Sequence, residues 1–325
     1  MKKLLTPITL VALVVLAFPL ASAAAPAAPA SESPAAVLLG CRGNVTVVRS
    51  GGETVNGTFG MALASGDEVR TGKDSQAEVH FDNGQWVQIG ANSSTQIHGT
   101  KAVLSATGSS MGEKSFEVVQ NFLKLKDSEG TSSLARLRSG EKHAALRAES
   151  PMQTKTRDNR PTFRWSASDT SAELCLTIYS DKGIFWKKDV PKGTTSLAYP
   201  PDASVLEPGV TYSWVLETTD PLVFPPLRSE AAFFEILSAE EKQGLDATLA
   251  KMDEGAKPSE STYHVVRASL YFNHGLMEDA IAETTKALDG EPENSNLHAI
   301  LARLYAETGR TQEALDAYNR LLERR

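Results

Sequence analysis

Two cysteines in 325 residues, no Cys-x-x-Cys pair and six histidines without ligand spacing leave this chain outside the common zinc and dithiol patterns. Positive charge is also scarce. The 33 Lys and Arg against 40 Asp and Glu give a formal charge of −7, which disfavours nucleic acid and anionic membrane surfaces as partners. The apolar run from Ile8 to Phe18 falls short of the roughly 20 residues that span a bilayer, and no later segment is apolar enough to do so. No P-loop, His-Glu-x-x-His or dinucleotide fingerprint appears. Ser139-Gly140-Glu141-Lys142 has a Ser-x-x-Lys form, but the Ser-Asp-Asn and Lys-Thr-Gly elements that accompany it in penicillin-binding proteins are absent. His80 and Asp82 share a strand face, which reads as a polar surface rather than a metal site. A non-enzymatic protein is therefore expected, with no catalytic residue, cofactor or metal.

What is present begins with an address. Lys2 and Lys3 precede the apolar run, Pro19 breaks it, and Ala21-Ser22-Ala23 supplies the small residues of a cleavage site. Residues 1–23 thus read as a cleavable signal peptide with cleavage after Ala23, and residues 24–36, rich in Ala, Pro and Ser, as a flexible leader. A periplasmic or secreted protein with no membrane span is expected. Leu38-Leu39-Gly40-Cys41 has the local form of a lipobox. Its distance from the apolar run argues against lipidation at Cys41. A disulfide between Cys41 and Cys175 fits an oxidising compartment, and so do two separately buried thiols.

The hydrophobic content of 41% suffices for packed cores, and the length suggests two or three domains. Between Leu63 and Ile97, glycines punctuate short alternating segments and leave no room for helix. Ala77, Val79 and Phe81 alternate with Gln76, Glu78 and His80, predicting one apolar and one wet face. Asn83-Gly84 predicts a tight hairpin of type I′. Beyond it Trp86 faces away from Val87 and Ile89. The order of parts, Gly66-Asp67, Thr71-Gly72, the alternating strand, the Asp-Asn-Gly hairpin and Asn92-Ser93-Ser94, resembles the FecR domain, a small extracytoplasmic β module. The resemblance places a FecR-like domain at residues 37–110.

Residues 111–150 read as a connector. Phe116, Val119 and Leu123 within it lie at helical spacing, although the composition also permits a strand. Arg136 to Arg147 is a basic, solvated stretch. From Pro151 a series of short apolar runs between Pro and Gly turns predicts an immunoglobulin- or fibronectin-like β-sandwich over 151–238, resembling the sandwich modules that accompany FecR-like domains. Trp165, Trp186 and Trp214 fall in it. They read as core, or, if exposed, as a platform for a cell-wall glycan.

The period then changes. Tyr271, Gly275, Ala280 and Ala287 recur as Tyr305, Gly309, Ala314 and Leu321, each 34 residues later, as in tetratricopeptide repeats. Repeats at about 261–294 and 295–325 fill a helical region, 239–325, and the helix beginning at Ala239 is placed to complete the stack. Small residues at Ala268, Ala280, Ala302 and Ala314 let paired helices approach. The resemblance implies a concave face lined by the first helix of each repeat, including Ser269, Phe272, Asn273, Arg303 and Glu307.

The expected fold is multidomain β plus α. The expected function is a periplasmic scaffold or adaptor that binds protein partners through the repeats and the β modules. A glycan- or peptidoglycan-binding envelope protein is the second reading, and a component of FecR-like signalling the third. FecR itself relies on a cytoplasmic segment and a membrane span, neither of which is recognised here.

Overall fold

The computed structural model describes residues 33–98, 114–127, 145–169, 171–220, 224–254 and 258–322. The stretch read as a signal peptide and most of the expected leader, the Ser139-to-Lys142 motif, His143 and most of the basic stretch lie outside these residues. No described helix is long and apolar enough to cross a membrane.

The first β module comprises β1 (Ala36–Arg42), β2 (Val45–Val48), β3 (Thr54–Asn56), β4 (Met61–Leu63), β5 (Glu68–Thr71), β6 (Gln76–Phe81), β7 (Trp86–Ile89) and β8 (Ser94–Gln96). They form two antiparallel four-stranded sheets, ordered β4-β1-β6-β7 and β3-β2-β5-β8. Leu38, Val47, Leu63, Val69, Val79, Phe81 and Ile97 fill the space between them. Asp67 explains why the Gly-Asp pair matters. Its buried carboxylate accepts hydrogen bonds from Arg49 Nη1 at 2.7 Å, Ser50 N at 3.1 Å and Ala64 N at 2.9 Å, tying two loops to one point.

Two expectations for this module need correction. The hairpin is not type I′: Gly84 has positive φ and Asn83 does not, and Phe81 pairs with Gln85 around a three-residue loop. Such a loop needs the left-handed conformation only at its last position, which the glycine supplies. More consequentially, β6 has no wet face. Glu78 and His80 are as buried as Val79 and Phe81, because helices cover the side opposite the sheet core.

The second module is a sandwich built from β9 (Leu146–Ser150), β10 (Thr154–Thr156), β11 (Thr162–Ala167), β12 (Leu174–Ser180), β13 (Gly183–Val190), β14 (Ser196–Ala198), β15 (Thr211–Thr218) and β16 (Ala232–Ile236). A five-stranded sheet, β10-β16-β15-β12-β13, packs on a three-stranded one, β14-β11-β9. The sandwich starts before Pro151, since β9 pairs with β11 and Leu146 and Ala148 are core residues. Trp165 and Trp214 lie at its centre, 1% and 0% exposed. Trp214 Nε1 donates to the Pro151 carbonyl at 2.8 Å. Trp186 packs edge-on against Tyr199 with ring centroids 5.1 Å apart.

The helices are α1 (Lys114–Leu123), continued by a 3-10 turn over Lys124–Lys126, then α2 (Ala239–Asp253), α3 (Glu260–Asn273), α4 (Met277–Gly290), α5 (Ser295–Glu307) and α6 (Thr311–Leu322). The helical reading of Phe116 to Leu123 holds, but the segment is no mere connector. Phe116, Val119, Phe122 and Leu123 enter the same apolar cluster as Leu245, Val265, Tyr271, Leu297 and Leu304. Val37, Leu39 and Phe59 of the first β module belong to it too. Their helix-facing side chains make that module and the helical region share one core.

Candidate functional site

The repeat pair is assembled by local signals. Ser259 caps α3 and Asn294 caps α5, each side chain accepting from backbone N–H groups of the first turn. Ala268, Ala280, Ala302 and Ala314 have no exposed surface, as small residues must where helix axes come close. Thr284, where the repeat pattern has an aromatic residue, is buried with its hydroxyl donating to the Ala280 carbonyl at 2.7 Å.

The first helices of the two repeats are not open to solvent along their length. α1 lies against α3, and the 3-10 turn that extends it lies against α5. The Phe122 ring meets Phe272 at a centroid distance of 5.8 Å. Of the five residues assigned to the concave face, Ser269 is buried and bonded to the Val266 carbonyl of its own helix. Phe272 is half-buried under α1, while Asn273 is exposed. Arg303 is half-buried and pairs with the exposed Glu307 at 2.5 Å. The structure thus brings Arg303 and Glu307 together, leaves Asn273 accessible, and removes Ser269 from any surface.

At one end of this face the first β module closes in. Glu78 accepts from both Ser259 N and Ser259 Oγ at 2.8 Å, so a carboxylate on β6 receives donors at the very start of α3, where the helix dipole favours negative charge. Gly40 on β1 makes room for this: a Cβ there would sit 3.0 Å from Glu78 Oε2. Asn296 on α5 donates to the Phe59 carbonyl at 2.9 Å. His80 is held between the modules, with Nε2 3.3 Å from Ser115 Oγ and Nδ1 without a hydrogen-bond partner. Burial pushes its pKa down to about 4, so it stays neutral. Trp86, the cross-strand neighbour of His80, lines the same junction with Leu39, Met252, Tyr263 and Val266.

The sandwich meets the repeats through polar groups at their turns. Lys155 N donates to the Gly275 carbonyl at 2.8 Å, and Met277 N donates to Thr154 Oγ1 at 3.0 Å. Arg147 donates to the Gly309 carbonyl, and Arg157 pairs with Asp279 at 2.9 Å. Lys155 bridges Glu235 and Glu241 at 2.9 and 2.8 Å. Hydrogen bonds from Lys155 and from Ser238, its capping-box partner, hold the Glu241 carboxyl down at about 2.

The two cysteines are free thiols in different modules. Cys41, near the end of β1 and opposite Ala77, is pushed up to about 12 by burial and, secondarily, by Glu291. It is therefore poorly suited to thiolate chemistry. Cys175 is buried in β12. The bridge considered from the sequence is not formed.

The Glu78–His80–Trp86 face was not read as an interface, yet it left a signal. A tryptophan turned away from Val87 and Ile89 is a large apolar side chain without a core, and its cross-strand partner His80 marks where the second core lies. The turn carbonyls recruited by the sandwich left none, since main-chain acceptors carry no side-chain identity.

Comparison with known proteins bears on the helical end alone. The tetratricopeptide repeat family model matches residues 272–325. The chain carries repeats of a kind that generally mediates protein–protein interaction. No curated protein matches the chain. Among solved structures, a multi-domain immunophilin from Arabidopsis thaliana aligns over 53% of this chain and 97% of its own, at 9% identity and a TM-score of 0.20.

Proposed function

We propose that the chain is a non-enzymatic adaptor of the cell envelope that docks a protein partner on its repeat pair, with the first β module serving as a FecR-like mount for the repeats. The observation that carries this reading is the repeat pair itself, matched by its family model over residues 272–325 and held at its capped start by Glu78. The docking side chains are the exposed Asn273 and Glu307 and the half-buried Arg303 paired with Glu307. A location outside the cytoplasm rests on the signal-like leader. Cys41 supports an unlipidated chain, because cleavage before it would remove Ala36, Val37, Leu38 and Leu39, all buried in the two cores.

The glycan reading loses its aromatic platform. Trp165 and Trp214 are interior, and Trp186 is half-buried against Tyr199. Participation in FecR-like signalling gains support only from the order of strands and turns in the first module.

The test is cross-linking in envelope extract, comparing the wild-type chain with an Asn273→Ala, Arg303→Glu, Glu307→Lys variant. The adaptor reading predicts a specific cross-linked protein that the variant loses at unchanged circular dichroism. Sedimentation of both forms with purified cell wall, with no protein cross-link, would contradict it.

A further inference from the structure

The face expected to take a partner already holds a helix. Phe116, Val119, Phe122 and Leu123 of α1 sit at positions i, i+3, i+6 and i+7 and are all buried, whereas Glu117, Asn121 and Lys124 on the opposite side are exposed. This is how an amphipathic helix lies in an apolar groove, read through anchors one turn apart. The groove floor is the first helix of both repeats, α3 under α1 and α5 under its 3-10 extension. Glu117 in the first turn and Lys124 and Lys126 at the end match the helix dipole.

We infer that α1 is a built-in ligand of the repeat groove, and that the partner is an amphipathic helix carrying aromatic and aliphatic anchors at this spacing, which binds by replacing α1. The inference rests on the docking function proposed above and specifies its partner and its control. Three features set α1 apart from the helices around it. At ten residues it is too short to be stable as an isolated helix, so docking and folding are one event. Its neighbours in sequence are rich in Gly and Ser, from Ser105 to Gly112 and from Ser128 to Ser133, whereas α3 to α6 follow one another through short turns. It meets the repeats through the apolar stripe, and β6 through Ser115 and Phe116, which lie against His80. Burying those few side chains and ordering the segment are opposing free energies of similar size, a balance that permits exchange. Covalent attachment gives α1 a high effective concentration, so it excludes weak helices and yields only to a well-matched one.

Two measurements on the full-length protein test this. In native-state hydrogen exchange, the α1 amides are expected to exchange at least about tenfold faster than those of α3 and α5. A labelled peptide of residues 114–127 is expected to bind a Val119→Asp, Phe122→Asp variant at least about tenfold more tightly than wild type. Exchange of α1 in step with α3 and α5 overturns the inference, and this arm needs no variant to fold. Equal peptide binding by wild type and a folded variant overturns it too. A partner helix bound equally by both forms refutes the replacement while leaving docking intact. A chain that takes its own peptide but cross-links to no envelope protein refutes the proposed function instead.

Discussion

The two β modules hold the helical region in opposite ways. The first merges with it: Val37, Leu39 and Phe59 enter the helical core, and the polar groups on that face, Glu78 and His80, are buried. The sandwich keeps a core of its own, gives the helical core only Leu237 at its end and sets Met152 against Gly309, and otherwise meets the helices with main-chain hydrogen bonds and part-exposed ion pairs such as Lys155–Glu241 and Arg157–Asp279. Apolar burial is not screened by salt and creates a cooperative unit, whereas exposed ion pairs are worth little and are screened. The first junction is therefore integral to folding, and the second is a rim contact.

The largest way to break this contrast is a cavity in the shared core. Leu39→Ala should cost about 2–5 kcal/mol and lower the stability of the first module and the helices together, read by urea titration with strand and helix probes. The same truncation at Leu176, inside the sandwich core, should leave the α3 transition in place.

His80 provides the next effect. Its folded pKa of about 4 lies below the ordinary value of 6.5, so the unfolded chain binds the extra proton between those values. Stability is complete above pH 6.5 and falls as the pH drops toward 4. The full loss is about 3 kcal/mol, and a His80→Gln variant should flatten the titration. A profile unchanged by that variant would show that His80 is not the buried group responsible.

Glu78→Ala leaves the Ser259 donors unmatched beneath β6 and should cost about 1–3 kcal/mol. At the sandwich rim, Lys155→Met should cost no more than about 1 kcal/mol and should matter less still in high salt. Glu241 is held at about 2, below its ordinary 4.5. Its contribution is present above pH 4.5 and is lost as the pH falls toward 2, so acid should loosen the sandwich contact in a lower pH window than the one set by His80.

Sequence patterns made the elements readable better than the contacts between them. The 34-residue spacing located the repeats, because Ala268, Ala280, Ala302 and Ala314 record helix packing directly. Alternation located β6 and assigned its sheet core. It misread Glu78 and His80, since period-two alternation reports which side faces the sheet core and cannot report whether another module covers the other side. The concave face was similarly half legible. Repeat register placed Phe272 on it, but that α1 covers it follows from a segment some 150 residues earlier in the chain.

Hydrogen exchange in increasing urea tests the central claim most directly. The account predicts that β1, β6, α3 and α5 open at one common free energy while β12 and β15 of the sandwich open at another. Separate opening of β6 and α3, or a single transition shared by all three modules, would contradict it.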